Sequence, residues 1–135
     1  MTASVFVDTS AWYACFKRRD PRHASASAAL SRLLSGSSVY TSDYVFSEVV
    51  TLLPSRDGFE AARAAGEALR AHPGLTLLEV VPETRERAWR VFLKFSDHAL
   101  SFADCTSFAL IEEYGIRQVF TYDKDFRLLG RELVG

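Results

Sequence analysis

The sequence is poor in residues that mark several protein classes. Its 135 residues include two cysteines, four prolines and seven glycines. Cys15 and Cys105 lie far apart in apolar stretches and form no metal-ligand spacing, so we expect free, buried thiols in a reducing compartment. The scarcity of proline and glycine, with no repeat and no low-complexity segment, argues against a disordered chain or a repeat architecture.

Long apolar runs and a net positive charge are also missing. No run approaches the roughly 20 residues that cross a membrane, and residues 1–7 lack the basic start and long apolar run of a signal peptide. We therefore expect a cytoplasmic protein without membrane contact. The formal net charge of −1 excludes nucleic-acid binding through an overall positive field, so any such binding requires a local basic patch.

The sequence does contain a regular alternation of short apolar runs and helical patterns. Strands are predicted at residues 5–7, 39–41, 75–80 and 118–121, with a further edge strand at 132–134. Helices are predicted at residues 9–19, 20–35, 43–53, 59–71, 82–95 and 102–114, with a helical turn at 123–129. This alternation predicts one α/β domain over residues 1–135, with a mainly parallel sheet covered by helices on both faces. Ligands bind beyond the carboxyl ends of the strands in such sheets.

Four carboxylates occupy positions that favour a functional site. Asp8 and Asp123 directly follow two predicted strands, while Glu48 and Asp104 lie on apolar stripes of predicted helices. Structural alternatives remain. Asp8 and Asp123 fit helix N-cap positions, Asp104 fits a capping box with Ser101, and Glu48 fits a buried ion pair with an arginine. Several carboxylates in one cleft raise one another's pKa, and Mg²⁺ relieves that repulsion. The joint pattern therefore favours a divalent-metal site.

The stretches that contain these acids resemble the signature stretches of PIN-domain nucleases. They are residues 5–10 (VFVDTS), 42–49 (SDYVFSEV), 101–105 (SFADC) and 120–126 (FTYDKDF), in the family's order and at its usual separations. Residues 20–23 (DPRH) are similar to a helix start of the VapC toxin branch. The resemblance covers nearly the whole chain and implies that residues 1–135 form a single PIN domain. It also implies a three-layer α/β/α fold with a central, mainly parallel five-stranded sheet.

The resemblance also implies a function. It implies a metal-dependent endoribonuclease, the toxin of a type II, VapBC-like toxin–antitoxin system, which cleaves RNA phosphodiesters with a metal-activated water. One or two Mg²⁺ or Mn²⁺ ions would be held by Asp8, Glu48, Asp104 and Asp123, of which the last is at the family's most variable position. The expected partners are an RNA substrate, a cognate antitoxin whose C-terminal segment enters the cleft, and a second copy of the chain in a homodimer.

Hydroxyl groups flank the proposed acids. Thr9 and Ser10 follow the first acid, and Thr121 lies two residues before the last. Their hydroxyls could orient the carboxylates or bound waters, as groups behind metal ligands commonly do. Helix capping and strand-end packing are the structural alternatives.

Basic residues cluster at the junction of the first two predicted helices. They are Lys17, Arg18, Arg19 and Arg22, and we interpret them as candidate contacts to RNA phosphates. A solvated charged surface is the alternative. The histidines at positions 23, 72 and 98 are widely separated, and the proposed chemistry requires no histidine base.

Three other functions are compatible with parts of the sequence. A PIN-type nuclease could act in RNA processing or on DNA, outside a toxin pair, and an adjacent antitoxin gene would distinguish the two. An aspartyl phosphatase of the haloacid dehalogenase kind also has an aspartate after its first strand, but requires a second one where this chain has Ser10. A non-catalytic module that binds metal or a partner would not need all four acids.

Overall fold

The structure is a computed structural model that describes residues 3–135, and for residues 54–57 it describes the backbone alone. Across these residues the chain forms a five-stranded sheet in the order β3-β2-β1-β4-β5, in which every pairing is parallel. The strands are β1 (Ala3–Val7), β2 (Ser37–Ser42), β3 (Leu75–Leu78), β4 (Gln118–Phe120) and β5 (Glu132–Val134). The predicted three-layer α/β/α class is confirmed, including the edge strand.

The helices connect these strands. They are α1 (Thr9–Phe16), α2 (His23–Gly36), α3 (Asp43–Leu52), α4 (Pro54–Ala71), α5 (Pro82–Lys94) and α6 (Phe102–Glu113), with a 3₁₀ turn at Lys124–Leu129. Gly58 has φ 82° and ψ 173°, so α4 is interrupted there, and its long regular part begins at Phe59 as predicted. No helix within residues 3–135 has the length and apolar character needed to cross a membrane.

The predicted boundaries around the first two helices were wrong. α1 ends at Phe16 because Lys17 is extended, with φ −94° and ψ 99°. Asp20 does not cap α2 directly. Its Oδ1 accepts a hydrogen bond from the backbone nitrogen of Arg22 at 2.8 Å, in a turn that precedes the helix. The residues from Lys17 to Arg22 therefore form a loop in which cationic side chains point in different directions.

The predicted third strand was also too long. β3 stops at Leu78, and two residues later the nitrogen of Val80 donates to the Asp43 carboxylate, at 3.2 Å from Oδ1 and 3.3 Å from Oδ2. The Asp43 side chain therefore accepts the hydrogen bond that a neighbouring strand would accept if β3 continued to Val80.

β1 is the central strand and organises the site. Val5, Phe6 and Val7 are fully buried, and burial of each such side chain contributes roughly 1.5–3 kcal/mol to stability. β1 pairs with β2 on one side and with β4 on the other, and the next strands, β3 and β5, lie further out on these two sides. The strand order therefore reverses beside β1. A crevice forms at the carboxyl ends of strands where the strand order reverses in this way. Asp8 is the first residue beyond β1.

Candidate functional site

Asp8 is held at the carboxyl end of β1 by hydroxyl groups. Its side chain is 3% exposed and caps α1, accepting from the Ser10 nitrogen at 3.4 Å. The same oxygen, Oδ2, accepts from the Ser10 and Thr121 hydroxyls, both at 2.9 Å. Burial raises the pKa of Asp8, and these hydrogen bonds act in the opposite direction. The predicted N-cap role is thus observed, in a geometry that also presents the carboxyl group to the crevice.

Glu48 is placed by α3. This helix begins after Ser42, whose side chain accepts from the Val45 nitrogen at 3.1 Å. The Thr9 hydroxyl donates to Oε1 of Glu48 at 2.6 Å and so joins the start of α1 to the middle of α3. The alternative prediction, a buried ion pair with an arginine, does not occur among the described residues.

Asp104 lies in the first turn of α6 and forms a capping box with Ser101. The Asp104 nitrogen donates to the Ser101 hydroxyl at 3.0 Å, and Oδ2 of Asp104 accepts from the Ser101 nitrogen at 3.2 Å. Two orphan backbone donors of the helix start are satisfied in this way. The capping alternative is therefore correct, and it fixes the carboxylate at the end of α6 that lines the crevice.

Asp123 follows β4 and caps the 3₁₀ turn. Its Oδ1 accepts from the Asp125 nitrogen at 2.9 Å, while its own nitrogen donates to the Thr121 hydroxyl at 3.0 Å. Because the Thr121 hydroxyl also donates to Asp8, it connects the acids at the ends of β1 and β4.

The four acids line one cleft of about 410 Å³ at the carboxyl edge of the sheet. The remaining lining residues are Thr9, Ser10, Tyr13, Asp20, Arg22, Leu52, Ser101 and Tyr122. The predicted hydroxyl residues Thr9, Ser10 and Thr121 all donate hydrogen bonds to one of the acids. None of the histidines lines this cleft in the described part of the chain.

Burial and mutual repulsion act on the acids of the cleft. The pKa of Asp104 is raised to about 6, first by burial and then by the nearby charges of Asp8 and Asp123. Burial raises the pKa of Glu48 too, and the charge of Asp104 raises it further. These shifts show that the carboxylates lie close enough to disfavour simultaneous ionisation.

The donor set of the cleft suits a hard cation. Carboxylate and hydroxyl oxygens from four separate elements converge there, and Mg²⁺ and Mn²⁺ prefer such ligands. Among the described residues, no group of three or more His, Cys, Asp or Glu side chains is already gathered at metal-binding geometry. The chemistry of the donors and the raised pKa values therefore support a cation at this site, and the role of each acid as a ligand stays a prediction.

The predicted basic cluster is divided by the fold. Arg22 lines the acidic cleft, whereas Arg18 and Arg19 line a separate cleft with Cys15, Phe16, His23 and residues of α4. The Lys17 ammonium lies 5.1 Å from the centroid of the Tyr13 ring. These basic residues therefore do not share one cleft, and their role as contacts to RNA phosphates stays a prediction.

Sequence reasoning missed Tyr122 and Asp20, which both line the acidic cleft. Tyr122 lies between Thr121 and Asp123, and this adjacency was a signal that could have identified it. Asp20 was interpreted only as part of a predicted helix start, and nothing local in the sequence indicated that its loop folds over the cleft.

The fold and the cleft together define a class of protein. Residues 5–132 match the model of the PIN domain, so the chain belongs to the PIN-domain family. Over 128 residues it is 36% identical to the 23S rRNA-specific endonuclease VapC20 of Mycobacterium tuberculosis, covering 93% of this chain and 94% of that protein. It is also 29% identical over 120 residues to the ribonuclease VapC26 of the same species, covering 89% and 87% of the two chains.

Solved structures agree with this placement. The crystal structure of VapC20, described as a toxin that cleaves the sarcin–ricin loop, superposes with a TM-score of 0.86 at 35% identity and covers 95% of this chain and 96% of that one. VapBC2 of Rickettsia felis, solved with a DNA fragment of its promoter, has a TM-score of 0.72 at 11% identity, with 96% of each chain covered. The second likeness shows the fold alone.

Proposed function

We propose that this chain is a metal-dependent endoribonuclease and the toxin of a type II, VapBC-like toxin–antitoxin system. The observation that carries the proposal is the convergence of Asp8, Glu48, Asp104 and Asp123 on one cleft at the carboxyl edge of the sheet. Its support is the 36% identity to VapC20, a named rRNA endonuclease, over nearly the full length of both chains. A PIN-type nuclease outside a toxin pair remains the second candidate, supported by the fold alone.

The four acids would hold one or two Mg²⁺ or Mn²⁺ ions. When bound, a divalent cation supplies Lewis-acid chemistry, which lowers the pKa of water and offsets the charge that develops on a phosphate. The residues of this chain provide the fixed positions. The hydroxyls of Ser10 and Thr121 orient Asp8, Thr9 orients Glu48, and the capping box orients Asp104.

We propose ribosomal RNA as the substrate class. The relatives VapC20 and VapC26 are named as a 23S rRNA-specific endonuclease and a ribonuclease, and VapC20 is described as a sarcin–ricin loop cleaving toxin. An assay on intact ribosomes, on purified 23S rRNA and on transfer RNA tests this assignment by mapping the cut sites. Cleavage confined to transfer RNA would contradict it.

The proposed partners follow from the same family. Structures that share the fold include toxin–antitoxin complexes, which supports a cognate antitoxin bound to this chain. A homodimer, a single PIN domain over residues 1–135 and a cytoplasmic location complete the proposal. Co-expression with the product of an adjacent small gene, followed by size-exclusion chromatography with light scattering, measures both the complex and the oligomeric state.

RNA cleavage with and without EDTA tests the enzymatic assignment. We expect the wild type to cleave RNA with Mg²⁺ or Mn²⁺ and to stop when EDTA removes the metal. Asp8→Asn keeps the size and acceptor of the side chain but removes its charge, and we expect it to lose cleavage. Asp97→Asn is a matched control, because Asp97 is an exposed acid outside the cleft. Cleavage by Asp8→Asn at the wild-type rate would contradict the role of Asp8 as a ligand. A wild type that binds RNA without cleaving it in Mg²⁺ or Mn²⁺ would leave only a binding module.

A further inference from the structure

Arg22 has an unusual position in the acidic cleft. Among the described residues that line this cleft, it is the one cation, facing the four proposed ligands and Asp20. A guanidinium among carboxylates usually pairs with one of them, since Arg and carboxylate groups match in geometry. Here no carboxylate of the described residues lies within 4.0 Å of the Arg22 guanidinium.

The guanidinium is held by an aromatic ring instead. Cζ of Arg22 lies 4.7 Å from the centroid of the Tyr122 ring, within the range of a cation–π contact. The Tyr122 nitrogen donates to the Ser10 hydroxyl at 2.9 Å, and this hydroxyl donates to Asp8. The ring also packs edge-on against Phe120, with centroids 5.8 Å apart. The guanidinium is therefore positioned relative to Asp8 through a short chain of contacts.

The backbone of Arg22 is fixed from the other side. Asp20 accepts from the Arg22 nitrogen at 2.8 Å through its side chain, and its carbonyl accepts from the His23 nitrogen at 2.9 Å. These contacts set the start of α2 and the direction in which Arg22 leaves the loop. Asp20 thus supports the cation through the backbone, without an ion pair to it.

We propose that Arg22 binds a phosphate group of the RNA strand in the acidic cleft, with the Tyr122 ring holding its guanidinium. This inference rests on the proposed ribonuclease function. A guanidinium over an aromatic ring keeps its N–H groups in its own plane, and their planar arrangement matches phosphate oxygens. Apart from the proposed metal ions, Arg22 is the cation that the described lining of this cleft offers to a polyanion. Arg18 and Arg19 do not contribute to this lining, because they line the other cleft.

Matched variants test this role through affinity as well as rate. Arg22→Ala removes the cation, Arg22→Lys keeps the charge without the fork, and Arg32→Ala is the control, an exposed arginine on α2 outside both clefts. KM and kcat are measured with the cleaved RNA, and Kd with the same RNA in an Asp104→Asn background. We expect Arg22→Ala to raise KM and Kd about tenfold and Arg22→Lys to raise them less. The slope of log Kd against log salt should fall by about 0.7, the value for one single-strand phosphate contact.

The ring contact has its own test. Tyr122→Leu removes the aromatic face and should raise KM several-fold, while Tyr122→Phe keeps the face and should restore the affinity that Tyr122→Leu loses. The effects of Arg22→Ala and Tyr122→Leu on KM should also be non-additive, because both substitutions remove the same contact. Full additivity in the double variant Arg22→Ala/Tyr122→Leu would show that the ring does not act through Arg22.

The outcomes separate this inference from the proposed function. If the wild type cleaves RNA and Arg22→Ala matches Arg32→Ala in KM, Kd and salt slope, the inference is wrong and the ribonuclease stands. If Arg22→Ala keeps the wild-type Kd for RNA but changes the Mg²⁺ concentration required, Arg22 serves the carboxylates and the inference is also wrong. A wild type that neither cleaves nor binds RNA overturns both. If Arg22→Ala did not fold, as judged by circular dichroism, Arg22→Gln, which keeps much of the side chain without its charge, decides the outcome by the same comparison.

Discussion

Thr121 connects two of the four acids through a single hydroxyl. It is 4% exposed, donates to Oδ2 of Asp8 at 2.9 Å and accepts from the nitrogen of Asp123 at 3.0 Å. A buried group that both donates and accepts is costly to remove, because each partner is left without its hydrogen bond. The Thr121 hydroxyl oxygen therefore connects the residues that follow β1 and β4 through two hydrogen bonds.

We expect Thr121→Val to destabilise the protein by about 1–3 kcal/mol, since the shape is kept and the partners of the hydroxyl are left unsatisfied. Urea denaturation measures this change. Thr106→Val is the matched control, because the Thr106 hydroxyl is also buried but donates only to a carbonyl of its own helix, at 2.6 Å. Equal losses in the two variants would contradict a special role for Thr121.

Asp104 is the acid whose charge is most affected by the others. We expect Asp104→Asn to abolish RNA cleavage and keep the fold, because the amide oxygen can still accept from the Ser101 nitrogen while the ligand charge is lost. Cleavage rate and far-ultraviolet circular dichroism measure the two properties.

Asp125→Asn provides the comparison for Asp104→Asn. Asp125 belongs to the same stretch as Asp123 but does not line the cleft, so its variant should keep its activity. Wild-type cleavage by Asp104→Asn would disprove its assignment as a ligand.

At the level of elements, helix starts place three of the four acids, and Glu48 lies further along α3. Asp8 caps α1, Ser42 caps α3, Ser101 and Asp104 cap α6, and Asp123 caps the 3₁₀ turn. The N-terminal end of a helix carries a partial positive charge, which favours a carboxylate there. Capping and metal binding are thus compatible uses of the same side chain, and the cap orients the carboxylate before any ligand arrives.

We expect Ser101→Ala to lower the stability by about 1 kcal/mol and to reduce cleavage, because the cap of α6 also positions Asp104. Thermal melting and cleavage rate report the two effects. Ser47→Ala is the control, since Ser47 is an exposed serine within α3, where such changes stay within about 0.5 kcal/mol. A Ser101→Ala variant with full activity would show that Asp104 needs no cap.

At the level of the whole molecule, the parallel sheet concentrates negative charge at one edge. β1 and β4 end beside each other, and α3 and α6 bring two further acids to the same cleft. Asp8 and Asp123 raise the cost of ionising Asp104, and Asp104 raises that of Glu48, so the folded protein carries a repulsion that the unfolded chain lacks. The stability of the protein should therefore respond to divalent cations and to pH.

Mg²⁺ or Mn²⁺ should raise the melting temperature. A ligand that binds only the folded state at about 100 times its Kd adds about 2.7 kcal/mol, which corresponds to several degrees for a chain of this size. Differential scanning calorimetry across a titration measures the shift, with sodium chloride at matched ionic strength as the control. An unchanged melting temperature at saturation would contradict a preformed site.

The pH dependence has a defined sign in the metal-free protein. The pKa of Asp104 is about 6 in the folded protein against an ordinary value of 3.8, so the folded state binds the proton more tightly. Its contribution to stability is fully present below the ordinary value and is lost as the pH rises through about 6. Burial raises the pKa of Asp8 and Glu48 in the same direction.

We therefore expect the melting temperature of the metal-free wild type, measured in EDTA, to fall from about pH 4 to about pH 7 more steeply than that of Asp104→Asn, which lacks the titrating group. Parallel curves for the two proteins would contradict the raised pKa.

The sequence by itself determined the alternation of strands and helices, the parallel sheet and the positions of the four acids. These features depend on neighbours within a few residues: apolar runs, helical stripes, capping residues and the acid that follows a strand. The ends of α1 and β3 were predicted less well. Lys17 leaves the helix without a local stop signal, and Val80 is bound by Asp43, a residue 37 positions away.

Only the tertiary structure decided which side chains meet. The hydroxyls of Thr9 and Thr121 reach acids that are 39 and 113 residues distant in sequence, and Arg22 stacks on a tyrosine 100 positions away. In the folded protein, Arg22 lines the acidic cleft, whereas Arg18 and Arg19 line the separate cleft beside α4. A local pattern can mark a charged residue, but the direction of its side chain depends on packing between distant elements, and so does the pKa of each buried acid.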